Sequence, residues 1–219
     1  MTLEEYRQKQ KKAADWAPGW EAIDACTEKL YGGQTPRHFG TNMAVRAIFG
    51  GDQYLDGYSV FTSEHGHLHL VTFGMSELYT NEAAFGGEFS KWGYEMTLKL
   101  PPCEEADDMW AMDMLANLAR YTFTSKRYVE PNQYISGGGN PIKVGSGSQL
   151  TGLLVVEDTE LQGIDTVHGR LDFLQLVGIT QPELDAIAAD REKVPDLIAA
   201  MKRKNPFLVT DLSRTKDYL

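Results

Sequence analysis

Three histidines stand at alternate positions, His65, His67 and His69, inside a run that reads His67-Leu68-His69-Leu70-Val71-Thr72-Phe73-Gly74. On a strand, residues two apart point to one face, so His67 and His69 could share a zinc ion or divide acid and base roles. All three could not meet on one ion, because the outer pair would lie ~13 Å apart at a rise of ~3.3 Å per residue. A site on His67 and His69 needs a distant third ligand such as His38, Asp56 or Glu77. Neither a Cys-x-x-Cys nor a His-Glu-x-x-His spacing occurs to supply one nearby. A metal-dependent hydrolase built on His67 and His69 therefore stands as the alternative to two packed, hydrogen-bonded histidines, and no metal and no cofactor are expected.

The other chemical candidates are weaker in pattern. Gly74-Met75-Ser76-Glu77-Leu78 has the start of a nucleophile elbow without its second glycine, and reads as a strand exit with Ser76 capping the turn. The glycine-rich stretch between Gly137 and Ser148 lacks the Gly-Lys-Ser or Gly-Lys-Thr of a phosphate loop and reads as a surface loop. Cys26 lies on the apolar side of a predicted helix. Cys103 follows two prolines and is expected to be exposed. Two cysteines do not make a disulfide scaffold, so both are expected to be free thiols in a reducing cytoplasm.

The elements that must position these residues can be read from periodicity. Thr2-x-x-Glu5 is a capping box and predicts a helix over 2–15, stopped by Pro18-Gly19. A second helix is predicted over 20–31 and ends at Gly32-Gly33. Strands are predicted over 42–49, 58–62 and 67–73, the last two as a hairpin. Residues 92–100 alternate, with Trp92, Tyr94, Met96, Leu98 and Leu100 on one side and Glu95, Thr97 and Lys99 on the other, which predicts a half-buried strand. A helix over 107–125 follows, its core stripe including Trp110, Met114, Leu115 and Phe123. Residues 128–149 read as loop. The apolar runs 152–156 and 173–178 read as strands, the former central. Helices over 182–189 and 194–204 precede a short terminal strand over 207–210. Trp16, Trp20, Trp92 and Trp110 are core candidates, with Trp92 also a candidate contact residue because a loop precedes it.

The chain has 219 residues, enough for one sizeable core, and a net charge of −10 from 31 acidic and 21 basic residues. That balance argues against a phosphate-binding, nucleic-acid surface and is compatible with a basic protein partner. No apolar run approaches the ~20 residues of a membrane span, and the polar first residues do not read as a signal peptide. One domain over 1–219 is the expected organisation.

Several landmarks occur in the order found in one family. They are Pro18-Gly19-Trp20, Leu55-Asp56-Gly57-Tyr58-Ser59-Val60, the run from His67 to Tyr79, Gly93-Tyr94-Glu95-Met96-Thr97-Leu98, and Leu118-Ala119-Arg120-Tyr121. Glu157-Asp158, Phe173-Leu174-Gln175-Leu176-Val177-Gly178 and Leu208-Val209-Thr210-Asp211-Leu212 complete the set, which spans about residues 18 to 212. In these the chain resembles the Suppressor of fused family, as a stand-alone bacterial-type member matching the N-terminal domain of the animal protein. The resemblance implies an α+β fold: a mixed, largely antiparallel sheet flanked by helices. It also implies a cytoplasmic, non-enzymatic protein-binding role. The animal member clamps an extended peptide of a Hedgehog-pathway transcription factor between two domains, and this chain ends where the second would begin. Bacterial members resemble proposed immunity proteins that neutralise polymorphic toxins.

The expected contact surface is Tyr79 and the loop 81–91, with Phe85 and Trp92 as apolar contacts and Asp56, Glu77, Glu82 and Glu88 as the acidic ones. The expected partner is a protein, with a basic toxin domain as the specific candidate; a structural subunit of an assembly is the blander alternative, and the oligomeric state is left open.

Overall fold

A computed structural model describes residues 1–41 and 54–219. The strand expected over 42–49 lies outside the described residues. The elements in chain order are α1 (Leu3–Lys12), α2 (Pro18–Tyr31), β1 (Arg37–Gly40), β2 (Gly57–Thr62), β3 (Leu68–Phe73), β4 (Phe89–Leu100), α3 (Glu105–Ser125), β5 (Tyr134–Ser136), β6 (Leu150–Glu157), β7 (Ile164–Thr166), β8 (Gly169–Thr180), α4 (Gln181–Ala189) and α5 (Val194–Lys202).

The strands form one sheet in the order β1-β2-β3-β4-β8-β6-β5, with β7 added beside β8. Every pairing is antiparallel except the central one, β4 with β8. That single parallel pair joins an N-terminal meander to a C-terminal antiparallel group, and it makes the sheet mixed. The crossover between β4 and β8 carries α3, which packs Ala111, Met112, Leu115, Ala119 and Phe123 onto one sheet face against Leu70, Met96, Leu98 and Leu176. The opposite face is covered twice. α2 brings Ile23 onto Phe61, Val71, Phe73 and Phe173. α4 and α5 bring Leu184, Ile187, Leu197 and Met201 onto Leu154, Val156, Val177 and Ile179.

Local signals set most boundaries. Thr2 and Glu5 close their capping box on α1, and Thr180 and Glu183 close another on α4, each with side chain and backbone bonded reciprocally. Pro18-Gly19 does not stand before a helix but inside one. Proline at the first helical position loses an N–H that would be unbonded anyway, so α2 starts two residues earlier than its apolar pattern suggests. Gly19 is required by contact: its N–H donates to Leu78 O at 3.0 Å, and a Cβ there would sit 2.1 Å from Glu77 O.

Three expectations are corrected. β4 is not half-buried: Glu95, Thr97 and Lys99 are all 0% exposed, because the exit turn of β3 closes over Glu95 and the turn after β6, with Asp158, Thr159 and Glu160, closes over Thr97 and Lys99. β6 is not central but next to the edge strand β5, which itself forms within the predicted loop; its continuous apolar run reflects helices on both faces. Residues 207–210 form no strand. Leu208 is left-handed (φ 53°), held by an Asn205 side chain that bonds both the Val209 N–H and its carbonyl; the segment meets the sheet through Thr210 N–H at Lys99 O, through the Thr210 hydroxyl at Gly178 N–H, and through the Phe207 and Leu208 carbonyls, which accept from the Gln175 side chain.

Candidate functional site

The exit from β3 organises the surface. Gly74 (φ 125°) turns the chain so tightly that a Cβ would lie 2.9 Å from Asp56 N. The following N–H groups of Gly74, Met75 and Ser76 converge on the Glu95 carboxylate at 2.9, 3.3 and 2.9 Å, and the Thr72 and Ser76 hydroxyls donate to it at 2.7 and 2.6 Å. Burial pushes the Glu95 carboxyl up, while these donors hold it down in part. Ser76 is therefore a buried donor to a structural carboxylate; the turn is capped through Glu95 from the neighbouring strand, and Ser76 has no exposed nucleophilic Oγ.

His67 and His69 do point to one face, and both are buried. Their partners are ones the sequence pattern did not suggest. His67 Nε2 meets Glu160 Oε2 at 2.9 Å, and His69 Nε2 meets Asp158 Oδ2 at 2.9 Å. Lys99 lies between the acids, with Nζ 3.1 Å from Asp158 Oδ1 and 2.7 Å from Glu160 Oε2. Burial holds His69 below the ordinary imidazole range, and burial pushes the Tyr31 phenol up. One arrangement satisfies both: Tyr31 OH donates to His69 Nδ1 (2.6 Å), and the neutral ring donates from Nε2 to Asp158. Burial alone would raise the Asp158 carboxyl, yet the His69 bond, Lys99 and Thr97 hold it well below the usual carboxylate range. Glu160 is held at about 2 by His67 and Lys99 against its own burial.

The cation in this cluster is thus the Lys99 ammonium. His38, Asp56 and Glu77, the distant ligands considered, are bonded elsewhere, to Ser59, Tyr79 and Asn81. Among the described residues no group of three His, Cys, Asp or Glu is placed to hold a metal ion. Cys26 is partly buried against the α2 core and Cys103 is exposed.

The expected contact residues are each held differently. Tyr79 is 51% exposed, with its hydroxyl 3.1 Å from Asp56 Oδ1. Glu77 accepts from Asn81 Nδ2 at 2.9 Å and Glu82 pairs with Arg7 of α1. Phe85 packs edge-on against Tyr6, at 5.0 Å between centroids. Tyr6 is fully buried; its hydroxyl accepts from Asn81 N–H and bonds His168 Nε2, so α1 ties the loop to the body of the fold. Glu88 is exposed. Trp92 is half-buried, edge-on to Phe123 and with Lys126 Nζ 5.6 Å from its ring centroid.

Between Phe89 and Tyr94 the β4–β8 ladder breaks. Phe89 pairs with Arg170 and Tyr94 with Asp172, so β4 carries extra residues through the gap. Lys91 (φ 56°) and Gly93 (φ 80°) take the left-handed conformations that this bulge needs. The bulge is tied to the β3 exit: Trp92 N–H donates to Met75 O at 3.1 Å, Glu77 N–H to Ser90 Oγ at 2.9 Å and Lys91 Nζ to Gly74 O at 2.6 Å. Where β4 leaves β8, a groove of about 470 Å³ opens, walled by Phe89, Trp92, Tyr94, Tyr128 and Leu174 with Glu130, Glu157 and Asp172 among its polar groups. Of these, the sequence placed Trp92 and, within the 81–91 loop, Phe89 on a contact surface; it did not join them to Tyr128, Glu130, Glu157 or Asp172. The neighbours of Trp92 come from four separate segments, and no local pattern joins them.

Comparison with known proteins supports one family throughout. The model of the Suppressor of fused protein family matches residues 51–215. The human and mouse Suppressor of fused homologues are each 29% identical over 211 residues, covering 90% of this chain and 43% of their own length. The chain thus spans less than half of the curated relatives it matches. Among solved structures, a Sufu–Fu complex superposes with a TM-score of 0.78 at 25% identity, covering 92% of this chain and 93% of that one. Drosophila Suppressor of fused superposes at 0.76 and 25% identity, over 92% and 51% of the two chains. A homologue from Neisseria gonorrhoeae shares the fold at a TM-score of 0.62 and 16% identity, over 92% and 97%.

Proposed function

We propose that this chain, which belongs to the Suppressor of fused family, is a non-enzymatic, cytoplasmic protein-binding module whose contact surface runs from Tyr79 through the 81–91 loop to Trp92. The observation that carries this reading is a preorganised, half-apolar strip. Tyr79 and Phe89 are each more than half exposed, yet the backbone leading into and following Tyr79 is pinned by buried groups: Glu95 under the turn at 74–76, Ser90 under Glu77, and Tyr6 under Asn81. Exposed aromatics on a backbone already ordered lose little entropy on binding, which is what an interface anchor needs. One of the related structures is a complex of Sufu with Fu.

The acidic groups Asp56, Glu77 and Glu88 lie on or beside this strip, and with a net charge of −10 they favour a basic partner. The finer proposal is an immunity protein that caps a basic toxin domain. Genome neighbourhood supplies the candidate partner, and co-expression followed by co-purification tests it. A double variant, Tyr79→Ala with Glu88→Lys, is expected to lose most of the affinity while staying folded. Unchanged affinity removes the surface. No helix among the described residues is long and apolar enough to cross a membrane.

A further inference from the structure

The groove at the β4–β8 break combines features that pick out one kind of side chain. Its walls are aromatic, with Phe89 and Tyr128 each more than half exposed at 55% and 57%. Three carboxylates line it against one ammonium. The ammonium, on Lys91, donates to Gly74 O and lies 4.8 Å from the Phe123 ring, so it is directed toward the fold. Asp172 is matched by Arg170 at 2.7 Å, and Glu130 accepts from an amide, Gln133 Nε2, at 3.0 Å, with no ion-pair partner among the described residues. Glu157 has no ion-pair partner among the described residues and is exposed at the end of β6. Aromatic walls beside an unmatched carboxylate favour a flat or elongated cation whose stem is apolar.

We propose that this groove seats one arginine or lysine side chain of a protein partner, its stem against Phe89, Trp92 and Tyr128 and its charged head toward Glu157 and Glu130. This rests on the protein-binding reading and names the chemistry of the partner at one point. The indole already has a cation near it in this fold, since Lys126 Nζ lies 5.6 Å from the Trp92 centroid, so the ring environment tolerates positive charge. The groove adjoins the Tyr79–Trp92 strip through Phe89 and Lys91, which allows one partner segment to engage both. The opening itself depends on the bulge: Gly93 lies under Phe89, where a Cβ would come within 3.0 Å of Cδ1.

The test is a titration of the isotope-labelled full chain with N-acetyl-arginine N-methylamide, followed by NMR on the Trp92 indole N–H. The citrulline analogue, equal in shape but uncharged, is the control. The expected result is a saturable shift with the arginine probe and a response at least about fivefold weaker with citrulline, with Glu157→Gln weakening the arginine probe by a similar factor. Equal response to the two probes overturns the proposal, as does an unmoved Trp92 signal or full affinity in Glu157→Gln. Tyr128→Ala, at an exposed position, is expected to weaken the probe without loss of folding and guards against a variant that fails for structural reasons. The outcome is separable from the broader reading: a partner bound with unchanged affinity by Glu157→Gln and Tyr128→Ala removes the groove and leaves the binding module standing.

Discussion

Lys99 and Asp158 form an ion pair with both side chains fully buried, Nζ to Oδ1 at 3.1 Å, and it spans the centre of the sheet from β4 to the turn after β6. Glu160, His67 and His69 complete it. Two buried carboxylates are kept ionised by one ammonium and by hydrogen bonds, so the cluster depends on each member being present.

Replacing Lys99 with Met keeps the stem and deletes the charge. Asp158 and Glu160 then lose their shared cation in a site without water access for the former. We expect Lys99→Met to destabilise by about 3–5 kcal/mol. Urea denaturation measures it; a loss below about 1 kcal/mol would show that the acids find other partners.

Acid should undo this cluster in stages, and the signs agree. His69 is held below 6.5 in the fold by burial, so unfolded chains take up its proton first and stability falls as pH drops through about 6.5. Glu160 is lowered from 4.5 to about 2, so its contribution is complete above about pH 4.5 and lost between there and about 2. Asp158, also lowered, loses its share toward still lower pH. Denaturation midpoints measured from pH 7 to pH 3 should therefore fall steadily, and Glu160→Gln should flatten the limb below pH 4.5. An identical slope in that variant contradicts the assignment.

Gly93→Ala places a Cβ at φ 80° and 3.0 Å from Phe89 Cδ1. The backbone strain alone is worth roughly 1–2 kcal/mol. The expected outcome is that loss in thermal or urea unfolding, together with a shifted Trp92 fluorescence as the bulge readjusts. Stability unchanged within ~0.5 kcal/mol would mean that the bulge relaxes without cost.

Tyr79→Ala and Glu88→Lys act at exposed positions, so each should change stability by no more than about 0.5–1 kcal/mol. Calorimetry checks this before any binding experiment is interpreted. A larger loss for Tyr79→Ala would make its bond to Asp56 a fold determinant and shift the contact surface toward Phe89.

Much of this fold was legible in the residues. The capping boxes at Thr2 and Thr180, the hairpin of β2 and β3, the α3 stripe and the ordered landmarks from Pro18 to Leu212 are local patterns, and local patterns follow from dihedral preference and periodicity. The half-buried reading of β4 failed for a reason that alternation cannot reveal. A strand with polar residues on one face looks solvent-facing until other segments cover that face, and the cover here comes from the exit turn of β3 and the turn after β6, both set apart from β4 in the chain.

The candidate site divides along the same line. The sequence by itself marked the strip: His67 to Tyr79, the 81–91 loop and Trp92 are contiguous, and their composition and order carry the family. It also set the charge that any partner meets. Only the tertiary structure decided what the histidines do, because Lys99, Asp158 and Glu160 reach them across strand pairings and a turn rather than along the chain. The groove likewise exists because a parallel pairing of β4 with β8 fails for a few residues, bringing Phe89, Tyr128, Glu157 and Asp172 together. Registers and bulges are settled by long-range packing, and long-range packing leaves no spacing in the sequence to read.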